Sequence, residues 1–184
     1  TSEEIENKGF LVTSTGSISL YAANSGSQSY DASIILPQKL YSKEYFVQTY
    51  PRDRFATEFA IIATSDFTNI CITPSDTTVL DQTGSSSTGS TGIGHYPNIP
   101  YNITLNRGQT YQVRSYSTTC NLSGTHICAD KPIAVFNGNQ SAQVPYKKSY
   151  TDDHMFEQSV PVRYWGKNFP ITKACSQGYN AYRV

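Results

Sequence analysis

The sequence predicts an all-β chain built from repeated four-stranded antiparallel units. Apolar and β-branched residues come in short runs, many alternating with polar ones, and no stretch of roughly a dozen residues keeps a helical period. The runs are bounded by Gly, Pro, Asn, Asp and Ser, the residues that turns favour. The chain also repeats itself. Gly9-Phe10-Leu11-Val12-Thr13-Ser14 and Ser17-Ile18-Ser19-Leu20-Tyr21-Ala22-Ala23-Asn24 return, at one constant offset, as Gly124-Thr125-His126-Ile127-Cys128-Ala129 and Pro132-Ile133-Ala134-Val135-Phe136-Asn137-Gly138-Asn139. Pro37-Gln38-Lys39-Leu40-Tyr41-Ser42-Lys43-Glu44-Tyr45-Phe46-Val47 returns as Pro161-Val162-Arg163-Tyr164-Trp165-Gly166-Lys167-Asn168-Phe169-Pro170-Ile171.

Taken in order, a first unit covers roughly 9–50, with strands at 9–14, 17–24, 31–36 and 44–50. A second covers 57–116, with strands at 57–64, 68–74, 101–106 and 110–116. A third covers 124–173, with strands at 124–129, 132–138, 153–160 and 168–173. Thr15-Gly16, Ser65-Asp66-Phe67, Asn106-Arg107-Gly108 and Asp130-Lys131 read as turns, and Arg107-Gly108 suits a tight hairpin. Gly84 to Gly94 is a Gly/Ser/Thr insertion whose spacing superficially suggests a phosphate-binding loop. It lacks the lysine and a following helix, so a surface loop is expected. Four-stranded units in series read first as part of a β-propeller, with a β-sandwich pair as the alternative. Ala181-Tyr182-Arg183-Val184 falls where Glu58-Phe59-Ala60-Ile61 fell before, so a fourth unit is expected to begin near 181. The 184 residues therefore read as a fragment of one β-repeat domain in a longer polypeptide.

Composition narrows the function. Charged residues are 15% of the chain, against roughly 25% in an average soluble domain, and the net charge is zero. No basic field exists to attract nucleic acid or an anionic membrane, and no apolar run is long enough to span a bilayer. The four cysteines, Cys71, Cys120, Cys128 and Cys175, form no C-x-x-C pair, which disfavours a zinc ribbon or a redox dithiol. Their even number and three sequons, at Asn102, Asn121 and Asn139, favour an oxidising extracellular compartment. All four cysteines are disulfide candidates, and sequence leaves their pairing open; Cys120 and Cys128 could close a small loop.

Candidate chemistry is sparse. Asp152-Asp153-His154-Met155-Phe156-Glu157 is the densest polar cluster. On a strand, Asp153 and Glu157 share a face but stand about 13 Å apart. That is too far for a glycosidase pair, at about 5–9.5 Å. Calcium at Asp152 and Asp153 is the minor alternative to a polar strand end. His126 and His154 lie in distant segments with no third ligand evident, so no metal, cofactor or catalytic residue is assigned and no enzyme is expected. Arg52, Asp53 and Arg54 form a charged turn in a charge-poor chain, a candidate contact loop. The many tyrosines pair an apolar face with a hydrogen-bonding tip, which suits protein and glycan interfaces as well as packing.

Several of these segments together resemble a known family. Ser123-Gly124-Thr125-His126-Ile127, Asp130 through Phe136, Gly138-Asn139, Phe59 through Thr64, Leu105 through Val113, and Asp153-His154 with Glu157-Gln158 and Trp165-Gly166-Lys167 resemble the N-terminal domain of the IgGFc-binding protein family. The resemblance covers nearly the whole chain. It implies a large extracellular protein of mucus, secretions or cell surfaces. Cysteines that the family often carries near Ser141 and Asp152 are missing here, and no residue of this sequence shows Fc binding. The expectation is a non-enzymatic extracellular module for adhesion and for mucus or matrix assembly, whose partners are glycoproteins or other chains of a larger assembly. A lectin-like module, calcium-assisted or not, is the alternative.

Overall fold

The structure is a computed structural model and describes residues 2–25, 30–50, 55–80, 92–143 and 153–172. Among the described residues ten strands form: β1 (Ile5–Glu6), β2 (Leu20–Ser25), β3 (Tyr30–Ile35), β4 (Ser42–Phe46), β5 (Thr57–Ala63), β6 (Thr68–Thr73), β7 (Tyr101–Leu105), β8 (Thr110–Arg114), β9 (His126–Ala142) and β10 (Asp153–Gln158). The helical content of the described residues is two 3-10 turns, at Gln38–Leu40 and Val162–Tyr164. No described helix is long and apolar enough to cross a membrane. The all-β, antiparallel expectation holds; segments 9–14 and 168–172, expected as strands, are irregular.

The long strand β9 organises the molecule. One of its edges pairs with β6 at Ile70↔Ala129 to Thr73↔His126, and then with β5 at Ala63↔Ile133 to Thr57↔Asn139. Its other edge pairs with β4 and then β10. Beyond them, β7 pairs with β6, and β8 with β5. The turns at 64–67 and 106–109 are therefore corners, not hairpins, because β5 and β6 lie end to end along β9, and β7 and β8 lie along β6 and β5 in turn. Asp130-Lys131, expected as a turn, lies within β9. Its polar side chains bond across the corner. Asp130 accepts from the backbone and side-chain amides of Asn69, both at 2.9 Å. Lys131 donates to the carbonyls of Asp66 and Phe67 at 2.5 and 3.0 Å. Gly108, with φ of 79°, and Phe67, with φ of 53°, supply the left-handed backbone of the other two corners.

Folding at these corners brings the halves of the sheet around a single core. Tyr45, Val47, Ile70, Ile72, Leu105 and Ile127 come from one half; Phe59, Ile61, Tyr111, Val113, Ile133 and Val135 come from the other. Period-2 alternation puts them inside: β5 reads Thr57, Phe59, Ile61 and Ala63 buried, with half-buried residues between. Bridges Thr78↔Ser115 and Val79↔Ile93 tie down the far side, so the sheet is barrel-like and nearly closed. Among the described strands no propeller blade forms, since β9 takes partners from all three expected units. A sandwich-type description remains compatible with the two halves.

The repeat is visible in the register. β2 and β3 form a separate pair with Tyr21↔Ile34, Ala22↔Ser33, Ala23↔Ala32 and Asn24↔Asp31. The matching residues of β9 and β10 pair as Phe136↔Gln158, Asn137↔Glu157, Gly138↔Phe156 and Asn139↔Met155. Each pair is followed by a 3-10 turn entered from a proline, Pro37 at φ −65° and Pro161 at φ −61°.

Candidate functional site

The densest group of reactive side chains lies on the outer face of β4, β9, β6 and β7. Because Tyr45, Ile127, Ile70 and Ile72 point into the core, their neighbours point out. Register then aligns Glu44, Cys128, Cys71 and Asn102 in one row across four strands. His126, two residues before Cys128, shares the face. Its Nε2 lies 3.0 Å from Glu44 Oε1 and 3.4 Å from Cys128 Sγ. The donor atoms of Glu44, His126 and Cys128 all fall within 4.8 Å of one another. Phe46 stacks on the imidazole at 4.6 Å and is itself flanked by Trp165 at 5.9 Å. Burial, and then the proximity of Glu44 and Cys71, push the Cys128 thiol up. Sequence reasoning found no third partner for His126. The His126-Ile127-Cys128 spacing was the available signal, since i and i+2 share a strand face, but Glu44 needed the register.

A second cluster fixes the loops at one end of the barrel. Val47 donates to the Thr125 carbonyl at 3.0 Å, and Gly124 N–H donates to the Val47 carbonyl at 2.9 Å. With φ of 89° at Gly124, this is a G1 bulge that delivers the chain into β9. Ser123 Oγ donates to the Thr49 carbonyl at 2.8 Å and accepts from Thr49 N–H at 2.9 Å. Asp76 accepts from the Asn121 N–H at 2.9 Å. Segments 47–50, 74–78 and 117–125 are thus cross-linked to one another.

The remaining candidates divide by environment. Cys71, Cys120 and Cys128 carry free thiols, and no disulfide joins described residues; Cys175 lies outside them. So do Arg52, Asp53, Arg54, Asp152 and the Gly84–Ser90 stretch. Of the sequons, Asn102 is exposed on β7. Asn121 is half-buried, its Oδ1 accepting from Thr49 Oγ1 and Ser123 N–H at 3.1 and 3.0 Å. Asn139 is fully buried; its Nδ2 donates to the Tyr50 carbonyl at 2.9 Å and its Oδ1 accepts from Ser141 N–H at 2.8 Å. That packing leaves no room for a glycan on Asn139 in the folded module. Asp153 Oδ1 accepts from Tyr30 N–H at 3.2 Å, holding the β2–β3 pair against β10.

Fold and site together define an all-β module with one packed core, cross-linked loops at one end and a polar, donor-bearing outer face. The chain belongs to the IgGFc binding protein family, whose match covers residues 31–184. It is 26% identical, over 169 residues, to the human IgGFc-binding protein. That alignment takes in 91% of this chain and 3% of the human protein, so the chain spans a small part of the length of the relative it matches. No solved structure matches.

Proposed function

We propose that this chain is a non-enzymatic binding module of a larger extracellular protein, acting in adhesion or in mucus or matrix assembly. Family membership carries the reading: the human relative is named for binding, and this chain corresponds to a small fraction of its length. A module of this size in a long polypeptide gains strength from repetition, because linked weak contacts add through effective concentration. The cross-linked loop end supports display, since segments 47–50, 74–78 and 117–125 hold one another in place. Partners are extracellular glycoproteins or other chains of the same assembly. The role of Asp153 in holding the β2–β3 pair favours a structural over a catalytic part for that carboxylate.

One observation favours a second reading, a lectin-like module. A cleft of about 350 Å³ between the β2–β3 pair and the barrel is lined by Asp31, Ser33, Thr49, Tyr50 and Glu157, among others. Carboxylates and an aromatic ring around such a volume suit a sugar. The test compares the single chain with a tandem concatemer for binding to immobilised Fc fragment and to mucin glycoprotein. The module reading expects weak single-chain binding and a gain of about 10²–10⁴ for the concatemer. Saturable competition by a monosaccharide would select the lectin, and cleavage of the glycoprotein would select an enzyme.

A further inference from the structure

The β2–β3 and β9–β10 pairs share one register, but the repeated segments beside them stand in opposite surroundings: 126–134 and 42–46 are paired strands, and their counterparts 11–19 and 166–170 are irregular. Ile127 and Ile133 of β9 are fully buried, and their counterparts Val12 and Ile18 are 54% and 59% exposed. Tyr45 and Val47 are each 1% exposed, and their counterparts Phe169 and Ile171 are 69% and 65% exposed. These are the two sides of one contact. In the complete module Tyr45 pairs across the strands with Ile127 and donates its hydroxyl to the Ile133 carbonyl at 2.6 Å. Transposed by the repeat, Phe169 belongs opposite Val12, and Gly166, the counterpart of Ser42, belongs opposite Ile18.

We propose that residues 166–171 of one copy of this chain lie along residues 11–20 of a second copy, as β4 lies along β9, joining copies head to tail. The two surfaces differ, so the contact is heterologous and extends into a linear array instead of closing as a two-fold dimer. The exposed apolar side chains of both segments are then covered together. This deepens the assembly reading given above and rests on it for biological setting. Its test reads self-association alone, so ligand display can stand if it fails.

The experiment is sedimentation velocity on the native chain, on Phe169→Asp, on Ile18→Asp and on their equimolar mixture. Both positions are exposed, so unchanged melting temperatures check that the variants fold. The native chain is expected to grow in mass with concentration. Each variant alone stays monomeric, and the mixture forms a dimer that grows no further, because each variant retains the half the other lacks. A native chain that stays monomeric at every concentration, or a mixture that stays monomeric, would overturn the proposal.

A different observation carries a second inference. Zinc bonds to nitrogen at about 2.0–2.1 Å and to thiolate at about 2.3 Å, which sets a tetrahedral N···S edge near 3.5 Å. The His126–Cys128 separation of 3.4 Å matches such an edge, and Glu44 lies within hydrogen-bond reach of the same imidazole at 3.0 Å. We infer that Glu44, His126 and Cys128 bind a zinc-class divalent cation, with Cys71, opposite Cys128, as the fourth donor. A disulfide is the competitor, and the register disfavours it. Val47 N–H bonds the Thr125 carbonyl, so odd-numbered residues at this end of β9 bond toward β4 and even-numbered ones, Cys128 included, toward β6. Hydrogen-bonded antiparallel pairs hold Cβ atoms at the wide end of about 4.5–5.5 Å, beyond the disulfide mean of about 3.8 Å. Cobalt(II) titration of the reduced chain should give tetrahedral d–d absorption with a thiolate charge-transfer band. One equivalent of zinc should abolish both, Cys128→Ser should weaken the charge-transfer band, and Cys71→Ser with Cys128→Ser should abolish it. Absence of a tetrahedral spectrum, a spectrum unchanged in Cys128→Ser, or a Cys71–Cys128 disulfide in the native parent protein would refute the site.

Discussion

Tyr45 joins two parts of the fold through one hydroxyl, and removing that hydroxyl tests how the barrel is tied. The oxygen donates to the Ile133 carbonyl at 2.6 Å and accepts from Ser42 N–H at 3.0 Å, while the ring is 1% exposed in the core. Tyr45→Phe keeps the ring and strands both backbone groups. A buried group left unsatisfied costs about 1–3 kcal/mol. Most of that falls on Ile133, which is fully buried, and less on Ser42, which is half-buried. At roughly 2–4 °C per kcal/mol for a chain of this size, the middle of the range lowers the melting temperature by about 4–8 °C. Denaturant and thermal unfolding of both proteins measure it. Alkaline pH supplies an internal control. Burial pushes the Tyr45 phenol from 10.0 up to about 12. A raised folded-state value contributes stability that is fully present below pH 10 and lost between 10 and 12, as the unfolded chain alone releases the proton. Wild type therefore loses its advantage over Tyr45→Phe across that window, while the other buried phenols cancel in the difference. A variant within about 0.5 kcal/mol of wild type, with a gap independent of pH, would refute the reasoning.

Three further perturbations bear on other parts of the structure. Glu58 is bonded to Gln112 Nε2 at 2.7 Å, and burial raises its carboxyl above 4.5. Its protonated form is favoured on folding, so stability is lost as pH rises through the folded value; Glu58→Gln should melt higher than wild type at pH 7 and lose that advantage below pH 4.5 in a pH series of melts. Gly124→Ala meets only Ser75 Cβ at 3.8 Å, so its cost is the left-handed backbone at φ 89°, about 1–2 kcal/mol by denaturant unfolding. Ile61→Ala, at a fully buried position on β5, should cost about 2–5 kcal/mol, whereas Ile34→Ala, 52% exposed on β3, should cost under about 1.

The strand class was legible because alternation is a local property. Thr57, Phe59, Ile61 and Ala63 declare a buried face without reference to any other segment. The path of the strands was not legible, because a turn residue signals a change of direction but not its angle. Asn106-Arg107-Gly108 reads as a hairpin, yet β7 and β8 find partners in β6 and β5 in place of each other. Asp130-Lys131 reads as a break, yet its side chains bond to the 65–69 corner and let β9 run through. The repeat was legible as a pattern of residues, and its meaning needed exposure: Phe169 and Tyr45 look alike in sequence and differ in what covers them. Of the site, His126 and Cys128 were visible as neighbours on one strand. Glu44, distant in sequence, came beside them only through strand pairing.

The extracellular binding account is tested most directly by glycopeptide mapping of the full-length parent protein, taken from both medium and lysate of the cells that make it. The account predicts recovery from the medium, with a glycan on exposed Asn102 and none on buried Asn139. Protein confined to the lysate, with Asn102 bare, would contradict it.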